Sequence, residues 1–68
     1  MILMQLIISK HAKDQMLLRG IDEDQVIRAI KIGSKVRQTD GLLAVYMYIR
    51  VAYKIRGDKY IIKTVMVN

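Results

Sequence analysis

The chain has no cysteine and no proline, and its acid is scarce: six Asp and Glu stand against twelve Lys and Arg. Without cysteine there is neither a disulfide framework nor a thiolate metal site, which fits a cytoplasmic address. Without proline, a low-complexity tract or an internal repeat, nothing marks a linker, and residues 1–68 read as one domain. No long apolar run is present either. The stretch Met1–Ile8 resembles a signal peptide at first glance, but it is only eight residues, with no basic segment and no small-residue cleavage site, so its length is expected to suit a buried strand and not a membrane span. The shortage of acid leaves a net charge of +6 at pH 7, which makes a polyanion the first partner to consider. The charge is uneven, since residues 42–68 hold Arg50, Lys54, Arg56, Lys59 and Lys63 against Asp58 alone. At 53% hydrophobic, a chain this short spends most of its apolar side chains on one core, and a homodimer would bury more.

Period-2 alternation is the main signal in the C-terminal half. Leu43, Val45, Met47, Ile49, Val51, Tyr53 and Ile55 are apolar, while Ala44, Tyr46, Tyr48, Arg50, Ala52, Lys54 and Arg56 lie between them. Successive strand side chains project to opposite sides, so the run predicts one long, bent strand with a core face and a displayed face. A turn near Tyr48 is the alternative. Asp40-Gly41 is a type I′ signal and Gly57-Asp58 suits type II′. Those turns pair Lys35 with Tyr46, Val36 with Val45 and Arg37 with Ala44 in the first hairpin. In the second they pair Ile55 with Tyr60, Tyr53 with Ile62, Lys54 with Ile61 and Ala52 with Lys63. The inward set is then Val36, Val45, Ile49, Val51, Tyr53, Ile55, Tyr60, Ile62, Thr64 and Met66. Seven cations face outward (Lys35, Arg37, Arg50, Lys54, Arg56, Lys59, Lys63) beside Tyr46, Tyr48, Ile61, Val65 and Val67.

Two helices precede this sheet. Ser9 is suited to cap a helix from Lys10 to Arg19 that ends at Gly20. Asp22 and Gln25 match a capping box for a second helix ending at Gly33, with Ile21 and Val26 as its hydrophobic staple. On the first helix Leu18, His11, Gln15, Arg19, Ala12 and Met16 fall on one arc. His11, Gln15 and Arg19 follow at i, i+4 and i+8, a spacing for a structural hydrogen-bonded ladder against the second helix or the sheet edge. The alternative is a catalytic or ligand role for His11, since histidine is the residue type whose unperturbed pKa lies nearest neutrality.

An outward face with seven cations and, outside its turns, no carboxylate differs from an ordinary solvated surface, where both signs mix. Aromatic rings beside cations fit single-stranded nucleic acid, the rings stacking on bases and the cations meeting phosphates. Tyr46 and Tyr48 are the stacking candidates; Lys35, Arg37, Arg56 and Lys63 are the phosphate contacts. Ile61, Val65 and Val67 leave room for a protein partner.

The stretch Ile8–Gly33 resembles a small family, domain-of-unknown-function family 4258. The pattern is carried by Ser9, His11-Ala12, Met16, Arg19-Gly20-Ile21 and Val26, and the segments Val51-Ala52-Tyr53 and Ile62-Lys63-Thr64-Val65 resemble its closing hairpin. The chain has Gln15 where the family commonly has Arg. That family is similar in fold to the RelE/ParE and BrnT toxins. The resemblance implies an α+β fold, β-α-α-β-β-β, with two short helices packed on one face of a twisted antiparallel sheet. It further implies a ribonuclease toxin of a type II toxin–antitoxin pair, acting on messenger RNA alone or on the ribosome and held by an acidic antitoxin.

Such cleavage needs no metal or cofactor. It requires a base for the 2′-OH, a cation for the pentacovalent phosphate and an acid for the leaving oxygen. Arg50 and Lys54 are the candidates for the charge, and His11 is the only imidazole available as acid or base. Two other classes stay open: a nucleic-acid-binding module without catalysis, and a small homodimeric protein-interaction domain.

Overall fold

The computed structural model describes residues 5–67. Strand β1 (Gln5–Ile8) leads into helix α1 (Lys10–Arg19) and helix α2 (Glu23–Ile32). A four-strand meander follows: β2 (Ser34–Gln38), β3 (Gly41–Tyr46), β4 (Ile49–Arg56) and β5 (Lys59–Val67). The sheet order is β1-β5-β4-β3-β2. β1 runs parallel to β5, and every other pairing is antiparallel. The architecture is α+β as the sequence predicts, with one strand more and a mixed sheet. Of the expected first strand, residues 5–8 form β1; residues 1–4 lie outside the described residues.

Both helices start and stop where their caps dictate. The Ser9 hydroxyl accepts from the Ala12 N–H at 3.1 Å, and Gly20 takes φ 67° at the end of α1. At α2 the Asp22 carboxylate accepts from the Gln25 N–H at 2.9 Å, and the Gln25 side chain accepts from the Asp22 N–H at 3.0 Å. Glu23 and Asp24 in the first turn and Lys31 in the last complement the helix dipole.

One core lies between the helices and one face of the sheet. It takes Ala12 and Met16 from α1, Val26, Ala29 and Ile30 from α2, Ala44, Ile49, Val51 and Tyr53 from β3 and β4, and Ile62 and Val65 from β5. Tyr53 pairs directly with Ile62, as the register of the Gly57-Asp58 hairpin requires. At α1 the core-facing residues are Ala12, Gln15 and Met16, while His11, Arg19 and Leu18 stand in solvent, Leu18 with 87% of its surface exposed.

Three details correct the sequence reading. The run Leu43–Ile55 is two strands, joined at Met47-Tyr48 with Tyr46 opposite Ile49. A two-residue loop inverts parity, so the even positions of β3 (Leu42, Ala44, Tyr46) share the core face with the odd positions of β4, and Leu43 and Val45 turn outward. In the first hairpin Gln38 pairs with Gly41, which makes Thr39-Asp40 the loop. Lys35 therefore faces Ala44, Val36 faces Leu43 and Arg37 faces Leu42. Finally, a bulge between the Tyr53–Ile62 and Ala52–Thr64 pairs leaves Lys63 without an opposite number. Beyond it Val65 and Val67 turn to the core and Thr64 and Met66 to the other side, the reverse of the unbroken alternation. Burying Val65 adds about 1.5–3 kcal/mol of hydrophobic stabilisation that a buried Thr64 would lack.

Candidate functional site

The helices cover one side of the sheet, and the other side is bare. Cross-strand pairing arranges it in rows. Arg56 stands opposite Lys59, Lys54 opposite Ile61, Ala52 between Leu43 and Thr64, and Arg50 between Val45 and Met66. Val36 extends the third row at the β2 edge. The middle of the bare face is thus apolar, and its cations gather toward the β4–β5 turn, with Arg50 apart at the opposite end. Arg56 and Lys59 are like charges directly opposite each other, a destabilising arrangement unless an anion lies near.

The densest contact on this face is centred on Asp40. Its two carboxylate oxygens each hold a lysine, Lys54 at 3.4 Å and Lys63 at 3.3 Å. The Lys63 ammonium also donates to the Asp40 backbone carbonyl. Lys63 reaches across from β5 to the turn before β3, two strand spacings or about 10 Å. Gly41 beside this contact has no room for a side chain: a Cβ there would stand only 2.4 Å from the Tyr53 carbonyl oxygen. The hydrogen bond from Lys63 and the charge of Lys54 hold the Asp40 carboxyl below the usual carboxylate range. These are the only ion pairs among the described residues.

The expected site does not assemble as one unit. Arg50 and Lys54 share the bare face, but four residues of extended strand, about 13 Å, lie between them. Arg56 and Lys63 are on that face as expected. Tyr46 is not: it is packed against the core opposite Ile49. Tyr48 lies in the β3–β4 turn, where its hydroxyl accepts from the Gln25 amide at 3.3 Å. The stacking platform beside Arg50 and Lys54 is therefore absent, because the Met47-Tyr48 turn flips β3 and removes Tyr48 from a strand. The same inversion moves Lys35 and Arg37 to the helix side of β2, where Lys35 donates to the Gly33 carbonyl at 2.9 Å.

His11 projects into solvent from α1, on the helix side of the sheet and away from the bare face. The ladder His11–Gln15–Arg19 does not form, since the Gln15 side-chain oxygen accepts instead from the backbone N–H of Val65 at 3.1 Å. The structural reading of this helix face holds for Gln15 alone. In the sequence Asp40 reads only as a turn residue, and its pairing with Lys54 and Lys63 emerges from the fold. The available signal was that Asp40 is the one acid between Asp24 and Asp58, in a stretch otherwise rich in cations.

Among the described residues no cavity opens, no group of three His, Cys, Asp or Glu converges, and no helix is long and apolar enough to cross a membrane. The candidate site is a surface. No curated protein and no solved structure matches the chain. A family model does, and its match runs over residues 8–67, from the last residue of β1 through the end of β5. The chain belongs to the family described as Domain of unknown function (DUF4258).

Proposed function

We propose that this domain binds the phosphate backbone of RNA with the cationic end of its bare sheet face. The observation that carries this reading is the Arg56–Lys59 pair, two like charges directly opposite, continued by Lys54 and Lys63 on the same face. Four cations there meet two carboxylates, Asp40 and Asp58, and no ion pair joins Asp58 to them among the described residues. A phosphate chain laid across the strands supplies the missing charge.

The resemblance to RelE/ParE and BrnT toxins suggests a more specific form, metal-independent cleavage of the bound RNA. Lys54 and Lys63 would then neutralise the phosphorane. The proton-transfer half is weaker: the face carries no imidazole, and Asp40, held ionised by two ammonium groups, is a poor base. Binding is thus the reading that the geometry favours over catalysis. A protein-interaction face is the second reading, and it rests on the apolar middle formed by Val36, Leu43, Val45, Ala52 and Met66. Its occupant would be an acidic protein such as an antitoxin, or a second copy.

The test is a titration of labelled mixed-sequence single-stranded RNA at several salt concentrations. Each neutralised phosphate on a single strand contributes about 0.7 to the slope of log K against log salt. Replacing Arg56 and Lys59 together by Gln should lower that slope by about 1.4, with the melting temperature unchanged or slightly raised. Gel analysis of the RNA afterwards separates binding from cutting. If no binding appears at low salt, the nucleic-acid reading is wrong and the face belongs to a protein.

A further inference from the structure

We propose that Lys54 and Lys63 form a phosphate-binding site that the Asp40 carboxylate occupies as an internal stand-in, so that RNA must displace Asp40 to engage both lysines. This deepens the phosphate-binding reading above and rests on it. Three features of the contact carry the inference.

The first is its geometry. Each carboxylate oxygen faces its own ammonium, the arrangement that two non-bridging oxygens of a phosphodiester would adopt with the same pair. The second is reach. Lys63 lies along the sheet over two strand spacings, about 10 Å, to a partner that is itself 72% exposed. An exposed ion pair contributes little to stability, with a median of about 0–1 kcal/mol, so the contact can be exchanged for another anion at small cost. The third is context. The chain has twice as many cations as acids, yet one carboxylate holds two of them at the point where the cationic rows meet the turn. Asp40 thus lowers the positive field of the bare face at Lys54 and Lys63. It keeps both lysines aimed at one spot and weakens binding of any anion that does not bring enough charge to replace it.

Asp40→Asn tests this directly. It removes the charge and keeps a side chain suited to a turn. With both lysines released, affinity for single-stranded RNA at low salt should rise on the order of tenfold, and the salt slope should steepen by about 1.4, two further phosphate contacts. Adding Lys54→Gln and Lys63→Gln to Asp40→Asn should abolish the gain. Inorganic phosphate titrated against the side-chain NMR signals of Lys54 and Lys63 is the second measurement. It should move them at lower concentration in Asp40→Asn than in the unaltered chain, while those of Lys10 and Lys13 on α1 respond alike in both. If the unaltered chain binds RNA and Asp40→Asn binds equally or more weakly with the same slope, Asp40 is a positioning group and the inference is overturned while the RNA reading stands. If neither protein binds, both fall.

Discussion

The side-chain oxygen of Gln15 accepts the backbone N–H of Val65 at 3.1 Å, so a helix side chain supplies the acceptor that a neighbouring strand would otherwise offer to β5. β1 leaves β5 after the Ile8–Ile62 pair. From there α1 takes over the edge: the Ser9 N–H donates to the Ile62 carbonyl at 3.1 Å, its hydroxyl donates to the Lys63 carbonyl at 3.3 Å, and Gln15 follows two turns on. A buried N–H left without a partner costs about 1–3 kcal/mol. Gln15→Leu should lower the unfolding free energy by about that amount in a urea titration and speed hydrogen exchange at the Val65 amide. Gln15→Glu keeps an acceptor and should cost less. His11→Ala, in solvent on the same helix, should stay within about 0.5 kcal/mol. A costly His11→Ala beside a neutral Gln15→Leu would argue for the ladder after all.

Gly33 caps α2 against the backbone of β3. Its φ of −74° is ordinary, so backbone freedom is not the reason for glycine. Space is: a Cβ would stand 2.5 Å from the Ala29 carbonyl oxygen, 2.6 Å from that of Val45 and 3.1 Å from the Tyr46 Cβ. Two of these are backbone atoms fixed by the helix and by β3, and neither yields cheaply. Gly33→Ala should destabilise the fold by about 3 kcal/mol, at the upper end of the usual cost of overpacking. Gly20→Ala is the control, because nothing lies within 4 Å of its Cβ and only its φ of 67° is strained. It should cost about 0.5–1 kcal/mol, the left-handed strain less the unfolded-state entropy that alanine removes, and a ranking of the two in the opposite order would contradict the close approach.

The helices were legible because their signals are local: Ser9, Gly20, Asp22 and Gln25 form their caps within a turn of chain. Strand faces are not local, and each misreading traces to one point of inversion. Leu42–Tyr46 is apolar at all five positions, so periodicity there could not say which side is buried; strict alternation begins only at Ile49. Met47-Tyr48 contains none of the Gly, Asn or Asp that mark a hairpin loop, and an unbroken strand was the natural reading. The bulge at Lys63 is equally silent in Thr64-Val65-Met66-Val67, where either parity gives a passable core. The cations on β4 and β5 ahead of the bulge were therefore placed correctly, while Tyr46, Lys35 and Arg37, upstream of the hidden turn, went to the wrong side.

That hidden turn makes its own prediction. Met47 has φ 55°, the one positive value at a non-glycine residue among the described residues, at the first loop position of the β3–β4 hairpin. The left-handed region costs an L-residue about 1–2 kcal/mol, and the Met47 side chain recovers little by burial at 74% exposure. Glycine relieves the strain but adds about 0.4–1 kcal/mol of unfolded-state entropy. Met47→Gly should therefore raise stability by roughly 0.5–1 kcal/mol by this difference, read as a higher urea midpoint at an unchanged m-value. A lower midpoint would mean that Met47 makes a contact that offsets its backbone.

Tyr53 should give the fold an alkaline limit. Burial in the core, with a smaller contribution from Tyr60, raises the pKa of its hydroxyl above the ordinary tyrosine value; the two rings lie 6.0 Å apart. The neutral phenol is the form favoured by the folded state. Its stabilising contribution is complete below the unfolded-state pKa of about 10 and is lost as pH rises from there through the folded value. A fall in stability in alkali would not by itself identify the group. The comparison with Tyr53→Phe does, because every other ionisable group is common to both proteins. Urea midpoints measured from pH 8 to about pH 11.5 should fall more steeply for the unaltered chain than for Tyr53→Phe. Parallel curves would show that the Tyr53 hydroxyl ionises as readily in the folded state as in the unfolded one.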